Sequence, residues 1–180
     1  MKKIHKNFYS EKDGELLKTC VFCNDNVLEY EYGYVIEKAF KFNKVTNIFE
    51  LVFEYALCTE CMQRLSSEMS EESKNNITEY FNRNKKQEYF SVLTVEERFK
   101  MCMLSGKNLK TQKEYQIAGF FIKDEMIVSN DFPFAIGFDA IEEVQELISD
   151  QTRDFSDKFK DVVLPPHVKD NFPKDRILIF

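Results

Sequence analysis

Four cysteines in two Cys-x-x-Cys pairs, Cys20 with Cys23 and Cys58 with Cys61, constrain this chain more than any other feature. Thiolates at that spacing suit one tetrahedral cation, and a closed four-thiolate site leaves no open position for chemistry. The reading is one structural Zn²⁺ per chain, held by Cys20, Cys23, Cys58 and Cys61. A redox dithiol, a zinc site released by oxidation and ordinary buried cysteines are the competing readings of the same thiols. The fifth cysteine, Cys102, makes the count odd, which argues against a disulfide framework. The start of the chain has no apolar core of a signal peptide, and no run of about 18 apolar residues could span a bilayer. The expected compartment is the reducing cytoplasm, where thiols hold metal instead of pairing. His5 and His167, the two histidines, lie outside both cysteine motifs, so a catalytic zinc is not indicated.

Between the cysteine pairs the pattern has period two. Tyr30, Tyr32, Tyr34, Ile36, Phe40 and Phe42 share one parity, with Glu29, Glu31, Glu37 and Lys41 on the other. Phe49, Leu51, Phe53, Tyr55 and Leu57 repeat the pattern opposite Glu50 and Glu54. Alternation of this kind predicts two strands, each with one buried and one wet face, joined by the polar turn at Asn43 to Asn47. After Cys58 the period lengthens. Thr59 is the expected cap of a helix with Cys61 in its first turn and Met62, Leu65 and Met69 on one face. The cysteine pairs thus fall at the open end of a long hairpin, and the second opens a helix.

The order of knuckle, hairpin and helix, with Cys20, Cys23, Cys58 and Cys61 at these places, resembles the treble-clef zinc finger over about residues 19–72. The resemblance implies a fold element and a zinc ion. It does not imply a role, because treble clefs serve nucleases, ribosomal proteins, adaptors and structural modules. The nuclease members place histidines on the hairpin and helix, and here neither segment has one.

The second half carries a similar order without the second metal pair. Cys102, Met103, Leu104, Ser105 and Gly106 read as a knuckle, followed by strand-like runs at Tyr115 to Ile122 and Met126 to Val128. Asp139 with Glu142 reads as a capping box for a helix whose apolar face holds Ile141, Val144, Leu147 and Ile148. The missing cysteines would fall near Pro133 to Gly137, so a degenerate, metal-free repeat is one reading and a chance likeness the other. Ser105-Gly106-Lys107 lacks the preceding glycine of a phosphate loop. The expected class is α+β: a treble-clef-like zinc module over 1–72, a helical connector over 73–101 and a metal-free hairpin–helix half with a C-terminal tail over 102–180. In the connector, Asn75-Asn76 could divide one helix, and Thr94 with Glu97 should cap another running to about Met101. Asp150, Asp154, Asp157 and Asp161 line one side of a predicted tail helix, opposite Phe155 and Phe159. Interleaved Arg153, Lys158 and Lys160 mark a solvated face, not a calcium loop. Leu164-Pro165-Pro166 should stop that helix, and the apolar end Arg176 to Phe180 should dock on the core or on a partner.

No nucleophile–base pair or cofactor motif is present, so no catalytic residue is assigned. The net charge of −6 opposes phosphate binding, although Asn82 to Lys86 is locally basic and Lys38, Phe40, Lys41, Phe42 and Lys44 interleave aromatics with lysines. The expected function is that of a zinc-stabilised, non-enzymatic protein-interaction module, which can also self-associate. The alternatives are a nucleic-acid-binding zinc finger and a redox-sensing zinc site. An enzyme with an unrecognised site is a further class.

Overall fold

The computed structural model describes residues 2–164. The expected tail segment Arg176 to Phe180, the Pro165-Pro166 pair and His167 lie outside them. Among the described residues six strands form one antiparallel sheet, with helices attached. In chain order the elements are β1 (Lys2–Lys3), β2 (Tyr34–Asn43), β3 (Ile48–Cys58), α1 (Thr59–Glu68), α2 (Glu71–Asn84), α3 (Gln87–Val92), α4 (Val95–Arg98), β4 (Glu114–Ile122), β5 (Glu125–Ile127), β6 (Phe134–Gly137), α5 (Phe138–Gln145) and α6 (Asp150–Val163). The strand order is β1-β5-β4-β2-β3, and β6 shares the outer edge of β4 with β5.

The hairpin β2–β3 forms as the alternation predicts. Asn43 ends β2, its side chain accepts the Val45 amide at 2.8 Å, and Asn47 takes a positive φ of 58° before β3 begins. A bulge between Ala39 and Phe40 keeps both strands in register across a parity change. The first strand starts later than its aromatic spacing suggests. Asn26 accepts the Leu28 amide and winds Val27–Glu29 into a 3₁₀ turn, so Tyr30 and Tyr32 stand outside the sheet and Tyr32 is 73% exposed. Local side-chain-to-backbone bonding overrides the period there.

Glu37, expected on a wet face, is buried and accepts a hydrogen bond from the Tyr55 hydroxyl. The reason is tertiary. β4 pairs along β2 from Tyr34↔Phe121 to Lys41↔Glu114, and α6 lays Phe159 against Tyr55 with ring centroids 5.7 Å apart. Residues Tyr34 to Ala39 are therefore buried on both faces. The opposite face of the sheet is covered by the N-terminal segment, where Phe8 meets Phe121 edge-on at 5.0 Å. On this face the fully buried Lys38 lies opposite Glu54, with Nζ 3.0 Å from Glu54 Oε2.

Gly33 is the hinge by which the chain enters β2. Its φ is +84°, and a Cβ there would stand 2.4 Å from the Phe121 carbonyl oxygen and 2.8 Å from the Phe120 ring. Its carbonyl also accepts the Thr59 amide at 3.2 Å and hydroxyl at 3.1 Å, linking the start of β2 to the start of α1. Gly33→Ala should lower stability by about 2–3 kcal/mol, since a left-handed conformation and a backbone clash act together. A denaturant midpoint that moves by less than about 1 kcal/mol-equivalent would refute this strain argument.

Three helix expectations shift. Asn75-Asn76 does not break α2, which runs unbroken through both residues. The Thr94–Glu97 capping box is present, but α4 ends at Arg98 and does not reach Met101. The helix expected to be capped by Asp139 instead starts at Phe138 after Gly137, and Asp139 donates its amide to Gln112 Oε1 at 3.2 Å. The tail helix α6 spans Asp150–Val163, with Leu164 as its C-cap.

Candidate metal centre

The two cysteine pairs arrive from separate elements. Cys20 opens a tight knuckle in which its amide donates to the Asp25 carbonyl at 2.9 Å, and the Asn24 amide returns to the Cys20 carbonyl at 2.9 Å. Asn24 has φ +64°, a conformation asparagine tolerates better than most residues. The knuckle is fastened to the sheet by the Val21 amide on the Ala56 carbonyl at 2.9 Å. That contact lies just before Cys58, the last residue of β3, and so brings the first pair to the second.

Cys58, not the expected Thr59, is the N-cap of α1. Its Sγ accepts the Cys61 amide at 3.4 Å, so the helix N-terminus points an unsatisfied donor at a sulfur. Thr59 is the first helical residue, and its hydroxyl serves Gly33 instead. Cys61 follows in the first turn, as expected. Cys20, Cys58 and Cys61 are buried and Cys23 is half-buried.

All four Sγ atoms lie within 4.8 Å of one another, and Cys23 Sγ is 3.9 Å from Cys58 Sγ. Ligands about 2.3 Å from a tetrahedral zinc stand about 3.8 Å apart, so the cluster has the size of a four-thiolate metal site. None of the cysteines is disulfide-bonded. Burial pushes the Cys23 thiol up to about 11 and raises Cys61 further, with hydrogen bonds to Cys58 and Cys23 and the charges of Cys20 and Cys58 adding to the rise at Cys61. Burial also works against the Cys20 thiolate, but hydrogen bonds from the backbone of Cys23, Cys58 and Phe22 outweigh it and lower its pKa. Without a cation, the set resists full ionisation. A divalent cation would supply the missing charge, and a four-thiolate donor set is of the soft type that holds thiophilic metals.

Tyr30, whose spacing predicts a strand position, belongs to this centre. Its hydroxyl donates to Asp25 Oδ2 at 2.9 Å and sits 3.9 Å from Cys23 Sγ. The hydrogen bond to Asp25 is the largest cause of a strongly raised Tyr30 pKa, so the ring stays neutral beside the sulfur. The only sequence signal was its place just after the Asn26 turn.

The other singled-out residues lie elsewhere. Cys102 is buried in the second knuckle, where its Sγ accepts the Ser105 amide at 3.4 Å. His5 caps a turn through Nδ1, accepting the Asn7 amide at 3.3 Å, and its ring lies tilted against Phe99 with centroids 5.1 Å apart. On α6, Asp157 pairs with Lys160 at 2.7 Å, and the four cysteines form the only group with metal-ligand geometry among the described residues. No helix among those residues is long and apolar enough to cross a membrane.

These features define a mixed α/β protein with an antiparallel sheet and a four-cysteine cluster able to hold a metal ion. No protein-family model matches the chain, and no curated protein or solved structure matches it either.

Proposed function

We propose that this chain is a zinc-stabilised, non-enzymatic protein-interaction module of the cytoplasm, with one structural Zn²⁺ on Cys20, Cys23, Cys58 and Cys61 in a treble-clef-like setting. The observation that carries the metal is the convergence of the four sulfurs within 4.8 Å. A closed four-thiolate shell fixes a fold and offers no site to a substrate.

The partner surface in this reading is the groove beside the metal centre. It has a volume of about 640 Å³ and lies between the knuckle, α1 and α6. Phe22, Leu65, Phe155 and Val162 give it an apolar floor, and Arg64, Glu68, Asp154 and Lys158 give it a rim of both signs. An apolar floor with a charged rim suits one or two side-chain anchors of a protein partner. It does not suit a nucleic-acid backbone, and the net charge of −6 weighs the same way.

Metal analysis of protein purified without chelator tests the first part: one zinc per chain is expected, and none sinks it. The second part is tested by Val162→Asp, a side chain 48% exposed. Cross-linked partners captured by the wild-type chain in its native cells should be lost with the variant, while zinc content and melting temperature stay within error. Equal capture by both proteins would place the partner surface elsewhere.

A further inference from the structure

We infer that the chain is two copies of one unit related by an internal two-fold axis, and that the second copy carries a metal site overwritten by Gln112. The two knuckles make the same bonds. The Cys20 amide donates to the Asp25 carbonyl and the Cys102 amide to the Lys107 carbonyl, each at 2.9 Å. Asn24 and Gly106 both take positive φ, at 64° and 71°, and each donates its amide to the opening cysteine's carbonyl. Val21 is fastened to the Ala56 carbonyl at 2.9 Å, and Met103 to the Ala135 carbonyl at 2.8 Å. A 3₁₀ turn capped by an asparagine follows in both, at Asn26 and at Asn108.

The correspondence continues to the end of the described chain. β2 matches β4 and β3 matches β6, with α1 following one and α5 the other. Then come α2 and α6, each of 14 residues, each with a serine N-cap. Ser70 and Ser149 are 79 positions apart and touch through their hydroxyls at 2.8 Å. The bonds around them are reciprocal: the Ser70 amide donates to Thr152 Oγ1 at 3.0 Å, and the Ser149 amide to Ser73 Oγ at 2.8 Å. Ser73 and Thr152 are themselves counterparts, each three residues into its helix cap. Elements that meet their own counterparts lie on a symmetry axis. The antiparallel pairing of β2 with β4 puts a second such point at Glu37↔Ala118.

Carried through the correspondence, the ligand positions Cys20, Cys23, Cys58 and Cys61 become Cys102, Ser105, Gly137 and Ala140. Three of the four sulfurs are gone. Tyr30, at the C-cap of the first 3₁₀ turn, becomes Gln112 at the C-cap of the second. Tyr30 stops at the edge of the sulfur cluster, but Gln112 reaches into the equivalent place. A Cβ on Gly137 would lie 2.9 Å from its Cγ and 3.0 Å from its Oε1. There Oε1 accepts the Asp139 amide at 3.2 Å, capping α5, which has no cap of its own from Gly137. In the first copy a cysteine sulfur accepts at the helix N-terminus. In the second an amide side chain does so and fills the space of the ion.

The duplication stands on backbone conformation, element order and hydrogen bonds; its metal consequence rests on the proposed zinc site. The test on the full chain is the graft S105C/G137C/A140C with Gln112→Ala to clear the space. Zinc per chain, and the cobalt(II)–thiolate absorption after exchange, should double relative to wild type. A folded variant that still binds one ion overturns the overwritten-site inference. A wild-type chain without metal sinks the proposed function instead. If the graft does not fold, or if the wild type holds no metal, the reverse graft decides. C23S/C58G/C61A should melt higher when Tyr30→Gln is added than when it is not, and an equal or lower melting temperature with Tyr30→Gln overturns the inference.

Discussion

Replacing Cys58 by Ala should release the metal and lower the stability of the chain by several kcal/mol. Three losses coincide at that position. The site falls from four thiolates to three, and binding free energy for structural zinc, about 10–16 kcal/mol in isolated fingers at neutral pH, is folding free energy. The α1 N-terminus loses its sulfur acceptor for the Cys61 amide, a cap worth about 1 kcal/mol. The side chain is fully buried, so a cavity remains among the other thiols. The measurement is zinc content together with the urea midpoint, in the presence and absence of added zinc. The wild-type midpoint should depend on zinc and the variant's should not. A variant that keeps a full equivalent of zinc and unfolds at the wild-type midpoint would falsify the four-thiolate assignment. Cys102→Ala is the internal control: it removes a buried thiol from the second knuckle and should leave zinc content at one per chain.

The second large effect lies on the far face of the sheet. Lys38→Met should cost about 3–5 kcal/mol, because it leaves the largely buried Glu54 carboxylate without its cation. Lys38 is fully buried, and Glu54 is 12% exposed at its side chain, with the two 3.0 Å apart. Lys38 also donates to the Tyr9 carbonyl, and Glu54 accepts from the Ser10 hydroxyl at 2.9 Å and the Glu11 amide at 3.0 Å. The pair therefore ties the N-terminal segment, and with it Phe8, onto the sheet. The further contact to Glu11 at 3.2 Å involves a half-exposed carboxylate and adds little. The discriminating variant is Lys38→Met with Glu54→Met. Removing both charges should recover a large part of the loss, since a buried pair is often worth no more than an apolar replacement of its size. If the double variant is less stable than either single variant, the pair is not the source of the effect.

The competing readings of the cysteines separate on the same preparations. An inert structural zinc should survive mild peroxide, whereas a redox-released site should lose zinc as the thiolates oxidise. The half-buried Cys23 is the sulfur most open to such attack, and Tyr30 stands beside it.

The cysteine spacing alone named the four residues that converge, and the alternation between them placed the β2–β3 hairpin and its turn. Both are local or nearly local facts: a thiol every third residue and a side chain every second residue set which atoms can meet. The start of β2 was not legible, because the Asn26 cap and Gly33 at positive φ redirect the chain against its aromatic spacing. The burial of Glu37 and Lys38 was equally hidden. Glu37 sits on the parity that would be wet in an isolated hairpin and Lys38 is a charge on the apolar parity, and only the pairing with β4, the helix α6 and the N-terminal segment encloses them. The likeness of Cys102 to Cys20 was visible as a motif, but the reciprocal bonds of Ser70 and Ser149 were not. They join residues 79 positions apart, and no pattern in a linear chain records which distant caps will face each other. Side-chain chemistry and period are written in sequence, whereas enclosure and symmetry are properties of which surfaces pack together. Hence the four cysteines that converge were determined by the sequence, and their enclosure beside the antiparallel sheet was decided by the tertiary structure.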